Sequence, residues 1–227
     1  MKIARIVVVN AFVIIFAISC GSRSQNQREQ TMTEEEPFEQ IVPEGWQALF
    51  DGNSLDNWEV TQYDDRKPFV KNGVMTIPMS INVLMTSVCW NGEPLPENNY
   101  AIYYEARRVE GNDIFGAISF PYGDTSATLI VGGWGGLVCG ISCIAGYDAS
   151  ENETTKYINF KDGQWYPIYL RVTTDSIRAT IDNVPVFDLA TAGKRIHLRG
   201  GMYAPALTLS TYLTTGEIRN LRIKKLP

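Results

Sequence analysis

Histidine is almost absent from the sequence, which has only His197 among its 227 residues. A metal site built from several histidines of one chain is therefore excluded, as is a repeated histidine motif. An all-oxygen calcium or magnesium site is not excluded, because carboxylate and carbonyl oxygens suffice for those ions. We predict no metal and no other cofactor, and we interpret His197 as a core or rim side chain.

Cysteine is also scarce, with four in the chain. Apart from Cys20 there are Cys89, Cys139 and Cys143, and three cysteines cannot all pair internally. On an extended strand, Cys139 and Cys143 would lie about 13 Å apart, so they could bond only if the chain turned near Gly140. We expect three small, buried, unpaired side chains. A bridge from Cys89 to one of the others is the alternative.

Basic residues are fewer than acidic residues. The sequence has 20 Lys and Arg against 25 Asp and Glu, a net charge of −5. Loss of Lys2 and Arg5 with an N-terminal signal segment would take the net charge to −7. This balance argues against a nucleic-acid partner and against a surface that binds anionic membranes.

No long segment places apolar residues at helical spacing, and short strand-like runs separated by turn residues recur instead. Residues 69–77 contain Asn72-Gly73, a hairpin turn signal, and residues 165–182 form a second predicted hairpin. Pro185 marks the following run as an edge strand. Ten or more short strands in one domain predict an all-β fold, a two-sheet antiparallel sandwich of jelly-roll type.

The N-terminus has the features of an export signal. Two basic residues precede an apolar run over residues 6–19, which is too short for a comfortable membrane span. Ala17 and Ser19 stand just before Cys20, a spacing that resembles a bacterial lipobox, in which the cysteine is acylated. We predict that residues 1–20 are a lipoprotein signal peptide ending at a lipidated Cys20. An ordinary cleaved signal peptide and an uncleaved anchor are the alternatives.

Residues 21–43 are polar and contain few aromatic residues, so we predict a flexible tether before a β-sandwich domain over residues 44–227. An acyl anchor would hold the protein at a membrane of the cell envelope without a spanning helix. Acidic residues begin only at Glu29, whereas some lipoproteins exported to the outer face carry acids directly after the cysteine. This favours the periplasmic leaflet, and we predict a lipid-anchored protein of the cell envelope, on the periplasmic face or at the outer membrane.

Three phrases resemble one domain family. The phrase GWQALFDGNSLDNWEV (residues 45–60) resembles its opening, "LF(D/N)G-x-x-L-x-x-W". YYEARRVEGNDIFGAISF (residues 103–120) and GEIRNLRIKKL (residues 216–226) resemble its central and closing phrases. The family is the 3-keto-disaccharide hydrolase domain family. The resemblance implies a concanavalin A-like lectin/glucanase sandwich in a secreted or lipid-anchored sugar hydrolase.

The sequence departs from that family at one strand. Many relatives continue with "GyEvQilD", whose acids are natural candidates for chemistry, but residues 127–136 here read ATLIVGGWGG and contain no carboxylate. The chain therefore resembles a divergent branch, and its catalytic acids must come from elsewhere.

The run YAIYYEARR offers the first candidate residues. On a strand, Tyr103, Glu105 and Arg107 share one face, which suits sugar hydroxyls. The alternative is a cross-strand salt bridge on a solvated sheet face. Glycoside hydrolysis generally needs two carboxyl groups, about 5 Å apart for retention or about 6.5–9.5 Å for inversion. Chemistry on a 3-keto sugar could need only one base and an oxyanion stabiliser.

The stretch from Val131 to Thr155 offers the others. Trp134 stands between glycine pairs, which would let a sugar ring approach, and the alternative is a core tryptophan at a bulge. Residues 148–154 are rich in turn formers and predict a loop that either closes over a groove or is simply solvated. We predict one groove bordered by the loop and Trp134, with Glu105 and Arg107 on its floor. The predicted catalytic residues are Glu105, Asp148 and Glu151, and the predicted substrate-binding residues are Trp134, Arg107, Asn152 and Tyr147.

These residues favour an enzyme that acts on glycosides or their 3-keto derivatives, with a carbohydrate as ligand. The first alternative is a non-catalytic carbohydrate-binding lipoprotein of the same fold. A structural or partner-binding protein of the cell envelope is the second, because a fold alone does not determine function.

Overall fold

The computed structural model of the protein describes residues 43–199 and 207–227. The predicted signal peptide, Cys20 and the tether as far as residue 42 lie outside the described residues. Within the described residues, no helix has the length and apolar character needed to cross a membrane.

The regular secondary structure of the described part of the chain is almost entirely β-strand. The fifteen strands in this part are β1 (Gln47–Ala48), β2 (Trp58–Gln62), β3 (Phe69–Lys71), β4 (Val74–Ile77), β5 (Met85–Trp90), β6 (Tyr100–Gly111), β7 (Ala117–Tyr122), β8 (Thr125–Gly132), β9 (Val138–Ser142), β10 (Lys156–Tyr157), β11 (Tyr166–Val172), β12 (Ser176–Ile181), β13 (Val184–Ala190), β14 (Thr208–Tyr212) and β15 (Thr214–Lys225). A tight turn, Gly133–Gly136, with Trp134 and Gly135 in the left-handed region, joins β8 to β9.

The strands form two antiparallel sheets. Sheet A has the order β13-β12-β11-β6-β15-β4-β3, and β1 also pairs with β15. Sheet B has the order β10-β9-β8-β7-β14-β5-β2. One continuous hydrophobic cluster draws side chains from both sheets and fills the space between them. The predicted all-β, two-sheet antiparallel sandwich is confirmed.

Strand β6 shows how the sequence places each side chain in this sandwich. Ile102, Tyr104 and Ala106 are fully buried between the sheets, while Glu105 and Arg107, which alternate with them, are only partly buried on the outer face of sheet A. A period of two residues produces this division. Each large apolar side chain buried in this way stabilises the fold by about 1.5–3 kcal/mol.

The predicted turns are also confirmed. Asn72 and Gly73 have φ angles of 51° and 77°, and they join β3 to β4. Two successive positive φ angles are the geometry for which an Asn-Gly pair is preferred in hairpins. Strands β11 and β12 form the second predicted hairpin. Strand β13, which contains Pro185, is at one edge of sheet A, where a missing N–H is tolerated.

Cys89, Cys139 and Cys143 are buried and free, as expected from their number and spacing. Burial raises the pKa of the Cys139 thiol to about 12. The Cys139 side chain therefore acts as a small, uncharged packing group at neutral pH.

Candidate functional site

Two adjoining cavities lie over the outer face of sheet B. The first, called here the acidic cavity, has a volume of about 270 Å³, and the second, called the hydroxyl cavity, about 310 Å³. Both are lined by Met85, Ile114, Ile130 and Tyr212, so they are two parts of one groove. The acidic cavity adds Asp113, Trp134, Ser142, Asp148 and Arg199.

The turn Gly133–Gly136 holds Trp134 at the rim of the acidic cavity. Trp134 has φ 49° and ψ 57°, in the left-handed region, and it is 44% exposed. A Cβ at Gly136 would lie 2.8 Å from a backbone carbonyl oxygen, so only glycine fits there. The backbone N–H of Gly135 donates to Asp113 Oδ2 at 3.0 Å, which fixes the turn. Trp134 therefore presents its ring to the groove and is not a core residue.

The carboxylate of Asp148 forms one wall of the acidic cavity. Its Oδ2 atom lies 3.0 Å from Nη1 of Arg199, and its Oδ1 atom accepts a hydrogen bond from the hydroxyl of Ser142. The side chain of Asp148 is only 12% exposed, whereas that of Arg199 is 61% exposed. The ion pair is thus anchored at the carboxylate and opens to solvent at the guanidinium.

The loop after β9 holds Asp148 in place through Asn152. The Asn152 amide nitrogen donates to the backbone carbonyls of Ile141 and Asp148 at 2.7 Å each. Its side-chain oxygen accepts from the backbone N–H of Thr154 at 2.9 Å. Asn152 therefore fastens the loop to the strand before it, and its amide is occupied by these internal contacts.

The chain bends back between β9 and this loop. Gly140 allows the close approach, since a Cβ there would lie 2.9 Å from the hydroxyl oxygen of Thr154. The bend places Asp148 beside Ser142, in the same cavity as Trp134.

The structure brings together two of the predicted site residues, Trp134 and Asp148. Glu151 and Tyr147 are exposed, and neither they nor Asn152 line the acidic cavity. The expectation that Glu151 and Asn152 border the groove is therefore wrong. Asp148 lines the acidic cavity, whereas Glu151 and Glu153 are exposed on a loop that is held by the hydrogen bonds of Asn152.

The prediction that Glu105 and Arg107 form the floor of the groove is wrong. Both lie on β6 in sheet A, on the face that points away from the core, whereas the groove lies over sheet B. Glu105 binds Arg219, whose Nε and Nη2 atoms both lie 2.7 Å from Oε2. Arg107 pairs with Glu217 at 2.5 Å and lies over the ring of Trp165. This is the cross-strand salt bridge of the alternative interpretation.

The contacts of Glu105 set its pKa. Burial alone would raise the pKa of Glu105, but hydrogen bonds from Asn220 and Arg219 outweigh burial and lower it below the ordinary value. A lowered pKa in the folded state means that ionised Glu105 stabilises the fold above the ordinary glutamate pKa of about 4.3. The stabilisation is lost as the pH falls through the lowered pKa.

Glu105→Gln should therefore lower the free energy of unfolding at pH 7 by about 1–2 kcal/mol. The difference from wild type should begin to shrink below the ordinary glutamate pKa of about 4.3, where Glu105 of the unfolded chain takes up a proton while the folded carboxylate is still ionised. Urea unfolding of both proteins at pH 7 and pH 3.5 measures this. Glu151→Gln, at an exposed position, is the matched control. A difference that stays constant across the two pH values would contradict the structural role given to Glu105.

Sequence reasoning missed Asp113, Ser142, Arg199 and Tyr212. Asp113 lies in the phrase GNDIFG, at the end of β6, and a turn-forming Asn-Asp pair is its only local signal. Ser142 and Tyr212 reach the groove because of the strand order of sheet B, which no local pattern reports. Within residues 43–199 and 207–227, no group of three or more His, Cys, Asp or Glu side chains converges as metal ligands.

Solved structures with the same fold include carbohydrate-active proteins. One is a candidate glycosyl hydrolase from Parabacteroides distasonis, with a TM-score of 0.55 and 14% identity over 82% of this chain and 99% of that one. Another is the Crh5 transglycosylase, with a TM-score of 0.57 and 12% identity over 84% of this chain and 91% of that one. At these identities the likeness shows the fold alone.

The family comparison is more specific. No curated protein matches the sequence. The sequence profile of a carbohydrate-active family, described as the 3-keto-alpha-glucoside-1,2-lyase-like domain, matches residues 45–224, which include the whole groove. The chain belongs to the 3-keto-alpha-glucoside-1,2-lyase-like domain family.

Proposed function

We propose that the protein cleaves the glycosidic bond of 3-keto-glucosides by removing a proton next to the ketone, with Asp148 as the base. The observation that carries the proposal is the position of the Asp148 carboxylate. It forms the wall of a cavity bordered by an exposed tryptophan, and a guanidinium group lies 3.0 Å away. A base beside a cation is the minimum that this chemistry requires.

The ketone at carbon 3 acidifies the hydrogen on carbon 2. Asp148 takes this proton, and the electrons of the C–H bond form an enolate that Arg199 can stabilise through its charge. The enolate then forms the double bond between carbons 1 and 2, while the bond from carbon 1 to the glycosidic oxygen breaks. The ketone at carbon 3 re-forms, and the departing oxygen takes up a proton from water or from the now protonated Asp148, so the overall step is an elimination.

Two-carboxylate hydrolysis fits the cavity less well. It needs one carboxyl group that is protonated and can act as a general acid. Asp148 is paired with Arg199, and both oxygens of Asp113 accept backbone N–H groups, from Ile114 and Gly135. With the hydroxyl of Ser142 on Asp148 Oδ1, all four carboxylate oxygens have donor partners within the protein, so neither group is placed to donate a proton to a glycosidic oxygen.

Trp134 supplies the binding surface for the sugar in this proposal. Its ring is exposed at the rim and is held there by the glycine-framed turn. The apolar C–H groups of a pyranose can stack on such a face, which would orient carbon 2 toward the carboxylate.

Methyl 3-keto-α-glucoside and methyl α-glucoside, offered in parallel to the full chain, test the proposal. The keto sugar should be consumed with release of methanol and formation of an unsaturated sugar, whereas the plain glycoside should remain intact. Hydrolysis of the plain glycoside would contradict the proposal. Binding of both sugars without turnover would favour the alternative, a non-catalytic carbohydrate-binding protein.

We also propose that Cys20 is acylated and that the domain is attached by this anchor to the cell envelope, on the periplasmic face or at the outer membrane. The proposal is supported by the lipobox-like residues before Cys20 and the polar segment after it. Metabolic labelling with a fatty acid should mark the wild-type protein and not Cys20→Ala. Label that remains after the substitution would overturn this proposal.

A further inference from the structure

Five neighbouring strands of sheet B carry a small polar side chain at the same level on the outer face of the sheet. The strand pairings align each of these residues with the next across the sheet. In order from β5 through β14, β7 and β8 to β9, the residues are Cys89, Thr208, Ser119, Thr128 and Ser142, called here the polar row.

The polar row leads to the proposed base. Adjacent strands lie about 4.8 Å apart, so the row is about 19 Å long, which exceeds the length of one sugar unit. Its last member, Ser142, donates its hydroxyl to Asp148 in the acidic cavity. The other four members line the hydroxyl cavity. Their small side chains leave the space of about 310 Å³ above the sheet.

The polar row can still bind a ligand, although its members contact one another. The hydroxyls of Ser119 and Thr128 lie 2.8 Å apart, and the thiol of Cys89 lies 3.3 Å from the hydroxyl of Thr208. A hydroxyl has one donor and two acceptor positions, so each keeps hydrogen-bonding capacity after such a contact.

The lining of the hydroxyl cavity is also notable for its charge. Among the described residues that line it there is no Asp, Glu, Lys or Arg. A charged group placed here would lose water without gaining a counter-charge, which is costly. A purely apolar group would leave the remaining hydrogen-bonding positions of these hydroxyls unfilled.

We propose that the polar row binds a neutral, hydroxyl-rich group attached through the glycosidic oxygen to the sugar that reacts at Asp148, and that it selects against charged groups. The inference rests on the proposed function for the position of the reacting sugar. The specificity of the protein is then divided between two cavities. The acidic cavity recognises the unit that reacts, and the hydroxyl cavity recognises the group that leaves.

Three glycosides that differ only in the leaving group test this inference: methyl 3-keto-α-glucoside, the same keto sugar linked to glucose, and the same keto sugar linked to glucuronate. In wild type, the neutral glucose group should raise kcat/KM about tenfold over the methyl group, and the glucuronate group should not. The double variant Ser119→Ala/Thr128→Val keeps the side-chain sizes close and removes two hydroxyls. It should lose most of this tenfold advantage. Thr180→Val, on the outer face of sheet A, should retain it.

Calorimetry with the corresponding unoxidised glycosides, which do not react, measures the same preference as a ratio of two Kd values, that of the methyl glycoside over that of the glucose-linked glycoside. A ratio that falls in the double variant when no glycoside is turned over would support the polar row and contradict the elimination. Turnover with an unchanged ratio, or equal preference for glucose and glucuronate, would overturn the polar row and leave the elimination standing.

Discussion

Asp148→Asn should lower kcat for methyl 3-keto-α-glucoside by about 10³-fold. A positioned general base contributes about 10²–10⁴-fold, and the amide has nearly the same shape but cannot accept the proton. The amide oxygen can still accept the hydrogen bond from Ser142 that the carboxylate accepts in wild type. KM should therefore change much less than kcat, since the cavity keeps its form. Steady-state kinetics with both proteins measures this.

Glu151→Gln is the matched control for Asp148→Asn. Glu151 lies three residues further along the same loop, is exposed, and does not line the acidic cavity, so its substitution should leave kcat unchanged. A thermal unfolding curve for each variant separates loss of the base from loss of the fold. Asp148→Asn with near-wild-type kcat, or Glu151→Gln with the larger loss, would contradict the role given to Asp148.

Trp134→Ala should weaken binding of the sugar about tenfold, because it removes the exposed ring that borders the acidic cavity. Stacking and buried area on an aromatic ring together are worth about 1–2 kcal/mol, which corresponds to about a tenfold change in Kd. Trp134→Phe should recover part of the loss. Calorimetric titration of each variant with a non-reacting glycoside gives the affinities directly.

Trp165→Ala is the control for Trp134→Ala. Trp165 lies against Arg107 and Arg219 on the sheet A side, away from the groove, with each guanidinium carbon within 4.5 Å of the ring centroid. Its removal should lower stability and leave affinity for the sugar unchanged. Equal affinity for wild type and Trp134→Ala would show that the exposed ring is not a binding surface.

The strands and turns were predictable because their signals are local. Alternation along β6 correctly divided Tyr104 and its partners from Glu105 and Arg107. The Asn72-Gly73 pair correctly marked a hairpin. A period of two residues reports that a strand has two faces, but it does not report which sheet the strand joins. The sequence pattern therefore places Glu105 on the correct face of its strand but does not show that this strand belongs to sheet A, whereas the groove lies over sheet B.

The groove was only partly predictable because it depends on contacts between distant parts of the sequence. Strand β14 lies between β5 and β7, so Tyr212 reaches Met85 and Ile114 across more than 90 residues of chain. Trp134 could be found because its glycine frame is a local signal of close approach. Asp148 could be proposed from the sequence because it begins the predicted loop of residues 148–154, but its ion pair with Arg199 could not be predicted.

The fate of the hydrogen on carbon 2 tests the central claim most directly. A 3-keto-α-glucoside that carries deuterium at carbon 2 is incubated with the protein in ordinary water. The mass of the sugar product formed in the first turnovers is then measured by mass spectrometry. A parallel sample without protein gives the uncatalysed exchange. Removal of this atom by Asp148 predicts that the product has lost its deuterium, and that Asp148→Asn neither forms product nor exchanges the label. A product that retains deuterium would contradict proton abstraction at carbon 2 and with it the proposed elimination.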